Sequence, residues 1–286
     1  MATLSKYTLR NYTAAIGRLE RAGLTLTNYD AVCAWVDENA PSVHSKKLYY
    51  VALGHKLAQS DIALAQRYKV KSKPLNVIIR DTESQQRLTA TERDKYLPYD
   101  DICKVYDNIT YNDCPYTSLE DKMLVGFYTQ MPPVRSDYSR LRIYNNTEPD
   151  MTVNHIEIRG SLYAFEESEM TVRIVEHKTA SSSGTLTRVL PPFLRANVAS
   201  YICGHQRSFG NTPPEYLFDF PEYEITTRLQ SVFQRYTGKA ISVNIIRHAY
   251  ITKQTEGRPP LAQLIAEADE MGHTIIAHEK YRRLDA

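Results

Sequence analysis

Between residues 155 and 190 the hydrophobic side chains alternate along the chain, whereas elsewhere they recur at helical spacing, so any sheet is confined to one short stretch of an otherwise helical protein. The alternating runs, 155–159, 170–177 and 185–190, predict a small antiparallel sheet, with Ala180-Ser181-Ser182-Ser183-Gly184 as the turn between the last two. Upstream, Tyr7, Leu9, Tyr12, Ala15, Ile16 and Leu19 mark a helix over 5–22, capped by Thr3 or Ser5 and followed by Gly23. Thr27-Asn28 precede a second helix through Trp35 and Val36, Pro41-Ser42 open a third reaching Leu57, and Ser60-Asp61 open a fourth that fades near Tyr68. These four helices predict a small bundle. From Lys69 to Leu88 the text is polar, with Pro74 and a strand-like patch at Val77-Ile78-Ile79, and reads as a linker. Helical patterns resume at 98–109 and 118–130, stop at Pro132-Pro133, and return after Pro191-Pro192 and over 222–237, 242–253, 260–269 and 274–284. The expected fold class is mainly α with a small antiparallel sheet (α+β). It divides into a helical domain at 1–70, a linker at 71–88 and a second domain at 89–286, which suits the length of 286 residues.

The formal charge of +2 hides an asymmetry. Residues 1–88 hold 13 Lys plus Arg against 7 Asp plus Glu, a balance of +6, and the remaining 22 against 26 give −4. Lys46, Lys47, Lys56, Arg67, Lys69, Lys71 and Lys73 face one acid in their own segment, Asp61. Such a surface suits a polyanion, although a charge run taken alone fits a solvated helix face as well. No apolar run approaches the roughly 18 to 20 residues that span a bilayer, and residues 1–7 lack a secretory signal, so an intracellular protein is expected with no membrane partner. Cys33, Cys103, Cys114 and Cys203 are scattered, form no Cys-x-x-Cys pair, and read as reduced thiols.

Four later segments carry candidate chemistry. They are Pro132-Pro133-Val134-Arg135-Ser136-Asp137-Tyr138, His177-Lys178-Thr179, Asn244-Ile245-Ile246-Arg247-His248, and Met271-Gly272-His273 with Tyr281 eight residues on. In this order they resemble the catalytic domain of the tyrosine recombinases, the phage-integrase family of DNA strand exchangers. The resemblance implies Arg135 and Arg247 as the two catalytic arginines, with Arg135 at the head of a helix. It further implies Lys178 as the hairpin lysine, Asn244 at the first position of the His-x-x-Arg box, His273 as the Gly-His histidine and Tyr281 as the nucleophile. The helical N-terminal domain is likewise similar to the family's core-binding domain, which would set the cations at 46–73 along DNA phosphates. The acids Glu92, Asp94, Asp100, Asp101, Glu166, Glu167 and Glu169 would then have to face away from the DNA.

The residue types suit that chemistry. A phosphodiester attacked by an oxygen nucleophile gathers negative charge on its equatorial oxygens, and two planar guanidinium forks can neutralise it without a metal ion or other cofactor. His273 would donate to a phosphate oxygen and Lys178 would protonate the departing 5′ oxygen. Tyr281 would attack, leaving a 3′-phosphotyrosyl bond that a second DNA end can reverse without ATP. His177, His205 and His278 read as structural, and His248 as a core residue or a neighbour of the site.

The chain departs from the family at Asn244, where His is usual, and at Asp137, two residues after Arg135 where the family's acid stands three residues on. The interval from His273 to Tyr281 is one residue short, and the five residues after Tyr281 imply either a different delivery of the tyrosine or protomers joined through the N-terminal bundle. The resemblance implies a recombinase or integrase of a virus or other mobile element, acting on double-stranded DNA as a homotetramer. A type IB topoisomerase-like enzyme and a catalytically inactive DNA-binding protein on the same scaffold are the alternatives.

Overall fold

The structure is a computed structural model that describes residue 4 and residues 6–110 and 115–285. The expected caps Thr3 and Ser5, and Cys114, lie outside these. The chain separates into two compact units, residues 1–85 and 86–286.

Unit 1 contains α1 (Lys6–Arg21), α2 (Tyr29–Asn39), α3 (Val43–Lys56) and α4 (Ile62–Ser84). Side chains set their starts: Asn28 accepts from the Ala31 N–H at 3.2 Å, Ser42 from Ser45 at 3.1 Å and Asp61 from Leu64 at 2.9 Å. Leu19, Val32, Val36, Tyr50, Leu53 and Tyr68 are fully buried, and the Tyr68 hydroxyl donates to the Leu26 carbonyl at 3.0 Å. Burial of the tyrosine is therefore compatible with its polar tip.

The extended linker expected at 71–88 is helical as far as Ser84. Leu64, Tyr68, Ser72 and Ile79 are buried, with Leu75 packed against the bundle core, so one helical face continues past the point where the pattern had faded. Pro74 sits inside this helix. Proline removes an N–H and costs a helix interior about 3 kcal/mol, which burial along this face opposes.

Unit 2 contains α5 (Ala90–Lys95), α6 (Tyr99–Asn108), α7 (Pro115–Thr129), β1 (Arg142–Asn145), β2 (His155–Arg159), β3 (Glu169–Ile174), α8 (Ala180–Ser183), β4 (Leu186–Val189), α9 (Pro192–Ser208), α10 (Glu222–Thr237), α11 (Val243–Gln254), α12 (Leu261–Glu270) and α13 (Ile275–Glu279). The overall class, mainly helical with a small sheet, is as expected from the hydrophobic period. The sheet has the order β1-β2-β3-β4, and β1 runs parallel to β2, so it is mixed where an antiparallel sheet was expected. The reason is a partner far along the chain. Residues flanking and within β1 bond to the segment 215–218, with Ile143 N–H to Glu215 O at 2.9 Å and Leu217 N–H to Leu141 O at 2.8 Å. No local alternation signals such a strand.

Two further expectations are corrected. Arg135 does not head a helix, because residues 135–140 form bends and turns: Asp137 Oδ2 accepts from the Arg135 N–H at 3.2 Å, and Arg140 adopts a left-handed φ of 49°. The helix expected over 274–284 is the short α13, because the chain beyond Lys280 gives its N–H groups to other partners, Arg283 to Thr252 Oγ1 and Leu284 to Gln86 O. Cys33, Cys103 and Cys203 are free thiols. Among the described residues no helix is long and apolar enough to cross a membrane.

One core joins the sheet to the helices, including Met123, Phe127, Tyr138, Ile156, Val172, Leu194, Phe218, Phe233 and Ile246. Within it α7 meets α9 at Gly126, where an added Cβ would lie 2.5 Å from Leu194 Cδ2 and 2.8 Å from Tyr106 Cε2. Alanine at 126 gains roughly 1 kcal/mol of helix propensity but overpacks this contact at a cost of about 1–3 kcal/mol. Gly126→Ala is therefore expected to lower the urea midpoint of unit 2, and an unchanged or raised midpoint would contradict this packing.

Candidate active site

Three of the residues selected from sequence meet in unit 2, and the charge of a fourth, Arg135, reaches them. Arg247 projects from the middle of α11, is fully buried, and donates through Nη2 to His273 Nε2. Its guanidinium carbon lies 4.8 Å from the centre of the Tyr281 ring. The Tyr281 ring stacks on that of His273, with centroids 5.0 Å apart and planes at 21°. Arg135 is half-buried, and its charge reaches both Arg247 and His273, lowering the proton affinity of each.

Burial lowers the Arg247 guanidinium to about 10; Tyr281 opposes that shift and Arg135 adds to it. At neutral pH it remains a cation. Its Nε and Nη1 are buried and have no partner among the described residues. Because a guanidinium can only donate, His273 Nε2 is the acceptor of their shared bond, which leaves the neutral ring's proton on Nδ1. That Nδ1 is likewise buried and unpartnered. Burial, and then the charges of Arg247, Arg135 and His278, hold His273 down to about 2. A desolvated cation with unused donors beside a neutral imidazole is an arrangement that an anion would complete.

Local structure explains why His273 comes here. Gly272 takes a left-handed φ of 64° at the end of α12, and the His273 N–H then reaches back to the Ala268 carbonyl at 2.8 Å, a helix-terminating turn that favours glycine. A Cβ on residue 272 would also meet Leu186 Cδ1 at 3.2 Å and His177 Cε1 at 3.3 Å. The Thr179 hydroxyl donates to the Gly272 carbonyl at 2.6 Å, tying the β3–β4 connection to this turn.

Lys178, on that connection, is exposed, and its ammonium has no hydrogen bond or ion pair among the described residues. Asn244, on the first turn of α11, is exposed too and its side chain has none either. Neither is hydrogen-bonded to a member of the cluster. Asp137, two residues after Arg135, reaches it through its charge. Its carboxyl is raised by burial, an effect opposed by the charges of His177, Arg247 and Arg135.

Several positioning residues escaped the sequence reading. Asn154 uses its whole amide: Oδ1 accepts from Val175 and Glu176 at 2.8 and 2.7 Å, while Nδ2 donates to Asp137 O and Glu176 O at 3.2 and 3.0 Å. It joins the loop of Arg135 to the loop of Lys178. Arg188 on β4 donates to the carbonyls of Pro132 and Glu270 and to the Tyr138 hydroxyl, fastening the Arg135 loop to the end of α12. Neither residue has a sequence signal, because the partners lie in segments far apart along the chain. Glu92 stands behind the tyrosine, 3.4 Å from His248 Nε2 and 3.5 Å from Arg283 Nη2. His278 is fully buried beside His273, at 6.3 Å between rings, and burial lowers it.

In unit 1, part of the basic surface is already neutralised by Asp37 on α2, an acid outside the cationic segment. Lys46 lies 3.4 Å and Lys71 3.7 Å from its carboxylate. Arg67 covers the Tyr29 ring at 3.9 Å. Lys56, Lys69 and Lys73 are exposed and Lys47 is half-buried, and none of the four has an ion pair among the described residues.

Among the described residues no three His, Cys, Asp or Glu side chains are placed to hold a metal ion. No family model and no curated protein matches this chain.

The buried histidines fix a pH response. His248 is held down to about 4, first by burial and then by the Arg283 charge, and His273 to about 2, whereas an unfolded histidine titrates near 6.5. The unfolded chain therefore binds more protons between those values, so stability is complete above about pH 6.5 and falls as the pH drops towards 4. Urea midpoints of unit 2 at pH 7 and pH 5 are expected to differ in that direction, and His248→Asn should reduce the difference to the part that His273 contributes.

Proposed function

We propose that this chain is a tyrosine recombinase that cuts and rejoins double-stranded DNA through Tyr281, and that unit 1 is its DNA-holding core-binding domain and unit 2 its catalytic domain. The observation that carries the reading is the buried Arg247, with two unused donors, in contact with both His273 and Tyr281 and within electrostatic reach of Arg135. A scissile phosphate seated on those donors would be held from one side by Arg247 and approached from another by Arg135, with the phenol beside it.

The steps follow from the charges. The Tyr281 oxygen attacks phosphorus while the arginines neutralise the growing equatorial charge. The Arg247 cation stands next to the ring, 4.8 Å from its centre, where it faces the charge that gathers as the phenolic oxygen bonds to phosphorus. The neutral His273 ring carries its proton on Nδ1, which has no partner among the described residues, and donates it to a phosphate oxygen. Lys178 protonates the leaving 5′ oxygen from a loop tied to Gly272 by Thr179. Asn244, an amide, orients phosphate or water and takes no proton. Reversal by a hydroxyl of another DNA end completes exchange, with four protomers on two sites.

The exposed, unengaged Lys178 and Asn244 favour one other reading, a DNA-binding protein that keeps the scaffold without the reaction. A nicked duplex that traps the covalent complex separates the two. The full chain is expected to form an adduct, Tyr281→Phe to form none, and Arg247→Lys to slow adduct formation by about 10²–10³. An adduct from Tyr281→Phe, or its absence from the wild-type chain, overturns the proposal.

DNA binding itself is expected to weaken steeply with salt. Replacing Lys56, Lys69 or Lys73 with Gln should each reduce the slope of log K against log salt by about 1. Asp37→Asn, which removes the negative charge beside Lys46 and Lys71, should instead raise affinity, as measured by titration at several salt concentrations.

A further inference from the structure

We infer that His248, braced by Arg283 and Glu92, is a positioning residue that seats Tyr281 against Arg247 of the same chain; this rests on the proposed role of Tyr281 as nucleophile. His248 follows Arg247 on α11, and the two neighbours grip the tyrosine differently. Arg247 lies over the ring, whereas His248 Nδ1 bonds the Tyr281 backbone carbonyl at 2.7 Å, with its ring centroid 4.9 Å from the phenol ring. One turn of helix thus sets both the ring and the backbone of residue 281.

The bond directions are forced. A carbonyl only accepts, so Nδ1 carries the His248 proton, and the neutral ring presents its Nε2 lone pair to the Arg283 Nη2 donor at 3.0 Å. Arg283 is in turn immobilised. Its Nη1 donates to the carbonyls of Lys280 and Arg282 at 2.8 and 3.0 Å, its N–H to Thr252 at 2.9 Å, and Glu92 lies 3.5 Å from Nη2. Glu92 is fixed by a reciprocal cap with Thr89 at the start of α5, which keeps its carboxylate ionised below the usual range despite the opposing effect of burial.

The clasp closes on both sides of the tyrosine. Gln86 Nε2 donates to the Glu279 carbonyl at 2.7 Å before Tyr281. After it, the Leu284 N–H reaches Gln86 O at 2.8 Å, and Asp285 accepts from the Leu88 N–H at 2.8 Å and from Arg93 at 2.7 Å. The segment 282–285 is strapped to residues 86–93 of its own unit, and the phenol is presented in cis.

The test compares His248→Asn with His248→Gln in the full chain. Asparagine places an N–H donor where Nδ1 stands and can keep the bond to the Tyr281 carbonyl, whereas glutamine places its amide at the Nε2 position and loses it. Single-turnover adduct formation on a nicked duplex is expected to be near wild type for His248→Asn and slower by about tenfold or more for His248→Gln, since small misplacement of a reacting group carries penalties of that order. DNA affinity should be equal in all three proteins, and amide exchange of residues 280–285 should be faster only in His248→Gln. Equal adduct rates for the two variants in the presence of a wild-type adduct overturn the clasp and leave the function standing. A wild-type chain that forms no adduct while His248→Gln still loosens residues 280–285 overturns the function, and with it the seating of a nucleophile. Glu92→Gln should slow the adduct in the same direction as His248→Gln, and an effect on DNA affinity alone counts against the proposal.

Discussion

A guanidinium taken completely out of water is the constraint around which unit 2 is arranged. Burying such a charge is costly unless its donors are used, and Arg247 uses one of them on His273 while keeping Nε and Nη1 in reserve. The resulting local excess of positive charge acts on its neighbours. It adds to the burial that holds His273 neutral, Asp137 lies within reach as a carboxyl, and the Tyr281 ring covers the cation with its π face. An anion bound there would relieve the same excess.

Holding that charge in place requires cross-links between segments that have no local reason to meet. Asn154 and Arg188 do this with side-chain amide and guanidinium bonds to backbone carbonyls, and Gly272 does it by turning the chain left-handed where a Cβ would crowd Leu186 and His177. The short β4 is thereby more than a sheet edge. It carries the arginine that joins the turn bearing Arg135 to the helix end that precedes His273.

How far the molecule could be read from its residues varied with the range of the forces involved. The helices of unit 1 announced themselves through Asn28, Ser42 and Asp61, whose side chains cap within three residues, and the strands at 155–159 and 186–189 through alternation. The second half of α4 was misjudged because Pro74 and the polar run after it outweigh, locally, a buried face that only packing makes visible. Strand β1 and the Arg135 turn depend on residues 215–218 and on Asp137 Oδ2, and neither leaves a periodic trace.

The order of residues by itself determined the chemical types available, the helical class with one small sheet, and the candidates Arg135, Arg247, His273 and Tyr281. These follow from short-range spacing and from what each functional group can do. Only the tertiary structure decided that Arg247, His273 and Tyr281 touch within reach of the Arg135 charge, that Lys178 and Asn244 are exposed, that Glu92 stands behind the tyrosine, and that Asp37 occupies part of the basic surface. Those are statements about distance between groups far apart in the chain. Electrostatic and hydrogen-bond energies depend on that distance and on burial, which no linear spacing encodes.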